Sequence, residues 1–185
     1  RWNGDDIVNI IAKQPATARF LARHLYNFFV ADEVPVPSWR QTPPRDAEAI
    51  KTLEQAYFDS GYNITAMLRV LFTSDFFKAE SARFARVKSP AEVVVSIMRM
   101  TGEHRGEVKP GLFDISEEPK FMGMDLMNPP TVEGWHTGHE WIDSGTLVER
   151  INFAAEYLGR TDLPGVQDMI NRLIARGERL SPEAF

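Results

Sequence analysis

The run His136-Thr137-Gly138-His139-Glu140 carries three side chains that can ligate a divalent ion. Neutral imidazoles and a carboxylate suit Zn²⁺ or a similar metal. The spacing is not the HExxH of a helical zinc site, where both imidazoles share one helix face. Gly138 points to a loop instead. Two solvated loop histidines are therefore the favoured reading, and no metal is expected. Trp135 and Trp141 flank the run. Two indoles can stack on sugar rings or take a partner's apolar knob. Service as buried anchors that pin the loop is the blander alternative, and the favoured one. Arg150 and Asn152 follow in the chain. They could hold an anionic ligand, but tying down loop carbonyls is the simpler job. Trp135, His136, His139, Glu140, Trp141, Arg150 and Asn152 are thus the candidate binding residues.

Other chemistries find less support. Asp125, Glu133 and Glu140 could supply the carboxylate pair of a glycoside hydrolase, which needs a separation of about 5–9 Å. Acidic loop residues are more often simply solvated. Cys is absent, which removes thiol nucleophiles, disulfides and thiolate metal sites. No G-x-S-x-G elbow, P-loop or dinucleotide fingerprint occurs. Ser144 lies near His139 but reads, with Asp143, as a helix cap. His24 and His104 are lone and read as structural or solvated. Met122, Met124 and Met127 read as core filler. No catalytic residue and no cofactor are nominated.

The elements that would position these residues are helical throughout. Asp5 or Asp6 can cap a short helix carrying Ile7, Val8, Ile10 and Ile11. Pro15 suits the first turn of a second. There Ala18, Leu21, Ala22, Leu25, Phe28 and Phe29 form one stripe, with Arg19, Arg23 and Asn27 opposite. Val34 to Pro44 is a proline-rich extended connector, and its Trp39 is expected to lie on the protein. Thr42-Pro43 begins a helix with Ala47, Ile50, Leu53 and Tyr57 inward, ended by Gly61. Asn63 caps another, with Ile64, Met67, Leu68, Leu71 and Phe72 at helical spacing. Ser89-Pro90-Ala91-Glu92 is a capping box, and Gly102 closes its helix. Glu103 to Glu118 reads as a loop, and Pro119 to Met127 as a short Met-rich helix. Leu147, Val148, Ile151, Ala154, Ala155 and Leu158 mark a helix ended by Gly159. Asp162 and Pro164 start a last one, with Val166, Met169, Ile170, Leu173 and Ile174 expected inward and Gly177 after it. No alternating strand pattern competes.

Composition agrees with a globular chain: 43% hydrophobic and 25% charged among 185 residues. The net charge of -5 argues against a nucleic-acid binder, which needs a basic face. No apolar run approaches the ~20 residues that span a bilayer. The chain opens Arg1-Trp2-Asn3-Gly4 and is read as a fragment or a processed piece of something longer.

Scattered motifs run from about residue 4 to residue 158. They comprise Pro15-Ala16-Thr17-Ala18-Arg19-Phe20-Leu21-Ala22, then Lys88-Ser89-Pro90-x-Glu92-Val93-Val94 with Arg99 and Gly102. Gly123 follows, and Pro129-Pro130-x-Val132-x-Gly134-Trp135. Gly138, Trp141-Ile142 and Thr146-Leu147-x-x-Arg150-x-Asn152-Phe153 complete a set that resembles a bacterial family, domain of unknown function 1800. The resemblance implies a helical fold, export to the periplasm or beyond, and a parent chain considerably longer than this one, of which residues 1–185 would be the C-terminal fragment. It implies no settled activity. The sequence departs from the family pattern at Met124, Asp125, Glu133 and His136, where Gln, Pro, Lys and Pro are usual. A polar role shared by that Gln and Lys would be lost here.

The expected fold is all-α, an irregular bundle of about seven helices with the Pro/Gly/Trp-rich loop packed across it. Residues 1–185 are read as one domain, with 1–80 and 88–177 as candidate helical subdomains. The leading function is a non-enzymatic interaction or scaffold module with protein partners. The alternatives are a hydrolase of glycans or other envelope polymers, and a carbohydrate-binding module using Trp135 and Trp141.

Overall fold

The computed structural model describes residues 2–103, 111 and 114–177. His104 and part of the Glu103–Glu118 loop lie outside them. The fold is all-α: among the described residues only an isolated bridge, Thr131 to Gly134, departs from helix, turn and loop. No described helix is long and apolar enough to cross a membrane. Contacts divide the chain into two compact units, Arg1–Val87 and Lys88–Phe185.

In the first unit the helices are α1 (Gly4–Ala12), α2 (Pro15–Phe29), α3 (Ala47–Asp59), α4 (Ile64–Thr73) and the single turn α5 (Asp75–Lys78). Their starts follow cap chemistry. Asn3 and Asp6 form a reciprocal capping box, Pro15 opens α2, and Asn63 accepts from two backbone N–H groups of α4. The core is Ala18, Ala22 and Tyr26 of α2 against Ala49, Ile50, Leu53 and Tyr57 of α3 and Met67 and Leu71 of α4. Four expectations need correction. Asn3, rather than Asp5 or Asp6, is the cap of α1. The connector, expected to be extended, forms a 3₁₀ turn over Val36–Arg40. α3 begins at Ala47 behind an Asp46 cap rather than at Thr42-Pro43, so Ala47 is exposed. Asp46 offers a side-chain acceptor to the Ala49 N–H that proline cannot supply. Arg23, placed by periodicity on the outer face of α2, is buried, because a buried carboxylate receives it.

The second unit holds α6 (Pro90–Thr101), the single turn α7 (Glu118–Phe121), α8 (Ser144–Leu158) and α9 (Pro164–Ala175). The Ser89–Glu92 capping box forms as expected, and Gly102 closes α6 with φ +70°, a left-handed conformation that glycine adopts freely. The helix expected over Pro119–Met127 is only α7. Gly123 and Met127 take positive φ, which breaks the helical run. Val94, Ile97, Met122 and Phe153 form the core. Gly165 lets α9 meet the end of α6: a Cβ there would lie 2.0 Å from the Met100 carbonyl oxygen.

Candidate functional site

The segment from Pro129 to Asp143 builds a sequence of tight local turns. Thr131 Oγ1 donates to the Gly134 carbonyl, and Gly134 sits at φ +104°. A 3₁₀ turn, Gly138–Trp141, is held by a capping box in which Glu140 accepts from the Thr137 N–H at 3.4 Å. Asp143 then caps α8, accepting from the Gly145 and Thr146 N–H groups. The Thr146 N–H, first among these bonds, holds the Asp143 carboxyl below its ordinary range. Thr146 Oγ1 reaches back to the Trp141 carbonyl at 3.0 Å.

The candidate residues separate inside this frame. Trp141 is buried, with His136 edge-on at 6.2 Å. Trp135 is half-buried, and its indole N–H is buried with no hydrogen-bond partner among the described residues. His136 Nδ1 lies 3.7 Å from Glu140, whose carboxylate already serves the turn. His139 and Asn152 are exposed. Among the described residues no group of three His, Cys, Asp or Glu side chains is placed to hold a metal ion.

Arg150 is 8% exposed. It was expected to tie the loop's own carbonyls. Instead Nη1 donates at 2.8 Å to the carbonyl of Lys88, before the α6 cap. Its Nε and Nη2 are buried and have no hydrogen-bond partner among the described residues. Burial pushes its guanidinium below the ordinary value, though an arginine stays charged.

The side of α8 that carries the apolar spacing is turned the other way. Val148, Ile151, Ala155 and Leu158 fall at intervals of three, four and three, the a/d seam of a helix–helix contact. Val148 is 51% exposed, Ile151 57% and Leu158 38%. Ala155 and the neighbouring Leu147 are exposed too. Arg150 and Phe153 face inward, roughly 140° round the helix at about 100° per residue. Periodicity marked this stripe but could not show that it points outward.

A second feature escaped the sequence reading altogether. In the first unit an open-sided cleft of about 670 Å³ runs beside Trp39, Arg40, Pro43, Glu48 and Lys51. Its wall is rigid. Arg23 donates to the Trp39, Thr42 and Pro43 carbonyls, and the Trp39 indole N–H donates to the Val34 carbonyl at 2.7 Å. The visible signal was a tryptophan inside a proline-rich connector, which has no reason to be there unless it packs.

A family model described as protein of unknown function (DUF1800) matches residues 1–184. No curated protein and no solved structure matches significantly. The family motifs place Trp141 and Arg150 among buried groups and Gly134 and Gly138 at positive φ, where glycine is needed. With essentially its whole length matched, the chain belongs to the DUF1800 family.

Proposed function

We propose that the chain is a protein-interaction module of a larger bacterial protein or complex, working without catalysis. The observation that carries this is the outward seam of α8. The outward side of this fifteen-residue helix would, if it only met water, have little reason to space apolar residues in threes and fours. Fully burying one Val, Leu or Ile contributes about 1.5–3 kcal/mol, so a partner helix laid along Val148, Ile151, Ala155 and Leu158 gains substantially. The exposed Ile7, Val8, Ile10 and Ile11 of α1 add a second uncovered apolar face. The sugar-platform reading is less favoured, since Trp141 offers no free ring face. The hydrolase reading is less favoured because Glu140 and Asp125 are engaged locally, Asp125 with Lys120 at 3.7 Å and Asn128 at 3.1 Å.

The test is purification of the full-length protein from its host, wild type against Val148→Asp/Ile151→Asp. Both positions are exposed, so the helical circular dichroism should be unchanged. The expected result is a stoichiometric protein partner that the double variant loses. Retention of that partner by the variant, or hydrolysis of a glycan by wild type without any partner, would sink the proposal.

A further inference from the structure

We infer that the Trp39 cleft is a second binding site, and that it takes an extended peptide segment carrying an acidic side chain. This goes beyond the α8 seam and does not depend on it. The inference starts from the charges left over in the cleft. Arg19 is paired with Glu54 at 2.8 Å and Arg23 with the buried Glu33 at 2.7 Å. Arg40, Lys51 and Glu48 line the same space without an ion pair among the described residues. Two cations against one carboxylate leave a positive excess, in a chain whose net charge is -5. An anionic group is the complement.

Shape selects the kind of anion. The cleft of about 670 Å³ adjoins a shallower groove of about 430 Å³ lined by Gln55, Thr52 and Val70, and Glu48 and Lys51 border both. The two together run over the outer face of α3. An enclosed small-molecule pocket buries most of its ligand behind apolar walls. This one is not enclosed and continues past Glu48 and Lys51 into the neighbouring groove, so an elongated chain suits it better than a compact ligand. Glu48 opposes a densely charged polyanion such as a nucleic-acid backbone, whereas a peptide can set a carboxylate against Arg40 or Lys51 and neutral residues elsewhere. Trp39, Pro43 and Pro44 supply an aromatic and apolar wall for those neutral residues. Arg23 and its carbonyl partners hold that wall before any ligand arrives, which lowers the ordering cost of binding.

The experiment exposes the 185-residue chain to an immobilised library of random octapeptides, with Arg40→Gln/Lys51→Gln and Val148→Asp/Ile151→Asp as the comparison variants. Arg40, Lys51, Val148 and Ile151 are all exposed, and equal melting temperatures confirm that the variants fold. Wild type should retain peptides enriched in Asp or Glu and depleted in Lys and Arg. The strongest of these, resynthesised, should bind the Arg40/Lys51 variant roughly tenfold more weakly, as the loss of two exposed charge pairs would give, and bind the α8 variant as tightly as wild type. Binding should also weaken as salt rises. The inference is overturned if wild type retains no acidic peptides above the Arg40/Lys51 variant. It is also overturned if citrate displaces the peptide at concentrations near the peptide's own, which would mark a site for free carboxylic acids. Loss of binding in the α8 variant alone would assign the peptide to the seam and likewise overturn it.

Discussion

Arg23 and Arg150 are both buried, one in each unit, with 4% and 8% exposure. Arg23 uses five donors in five hydrogen bonds. Nε and Nη2 take Glu33 at 3.2 and 2.7 Å, Nη1 takes the Trp39 and Thr42 carbonyls, and Nη2 takes the Pro43 carbonyl as well. Its guanidinium also lies 4.7 Å from the Trp39 ring centre. Glu33 in turn accepts from the Arg45 N–H. Among the described residues Arg150 makes one hydrogen bond, to the Lys88 carbonyl, and meets no carboxylate. The same side chain is thus a completed clamp in one unit and a half-used one in the other. A buried charge stabilises structure only when its partners are complete; otherwise its desolvation is uncompensated.

That contrast is broken most easily at Arg23. Arg23→Met leaves Glu33, only 2% exposed, without its cation and frees three connector carbonyls. The expected loss is about 3–5 kcal/mol, seen as a lower denaturant midpoint. Arg23→Lys should recover little of it, because an ammonium lacks the planar fork. A loss under about 1 kcal/mol would mean that the clamp does not hold the connector.

At Arg150 the same substitution should do far less. Arg150→Met gives up one hydrogen bond and removes two unpartnered buried donors, so stability should stay within about 1 kcal/mol of wild type or rise. A loss of several kcal/mol in the same denaturation experiment would show Arg150 to be as fully satisfied as Arg23, and the contrast would vanish.

The smallest effect is a pH dependence beside the completed clamp. His24 is half-buried between Phe20 and Trp39, with ring centres 4.3 and 4.6 Å away. Burial lowers its pKa in the folded state. Above the unfolded value, about 6.5, both states hold a neutral ring and the stability is fully present. As pH falls below that, the unfolded chain binds a proton that the folded chain resists, so stability is lost towards the folded pKa. His24→Gln should flatten this part of the stability curve, measured as urea midpoints between about pH 7 and pH 5. An unchanged slope would remove His24 as its source.

Much of the fold was legible because helix starts are local chemistry. Asn63, the Ser89–Glu92 box and Asp143 each satisfy N–H groups two or three residues on, and all three form as the sequence indicates. Pro119–Met127 misled because apolar, Met-rich composition says nothing about the positive φ at Gly123 and Met127. The loop candidates were findable as a cluster in sequence, but burial sorts them into a core tryptophan, a half-buried one and solvated histidines.

By itself, then, the sequence determined the all-α class, most helix boundaries, the family and the existence of a three-four apolar stripe on α8. These depend on residues within a turn or two of one another. Only the tertiary structure decided which way that stripe points, that Arg23 turns inward, and that Arg40 and Lys51 share a cleft with Trp39. The reason is that burial and pairing are set by groups far apart in the chain. Glu33 receives Arg23 from ten residues away and the Lys88 carbonyl receives Arg150 from sixty-two. No local period encodes where such a partner will be.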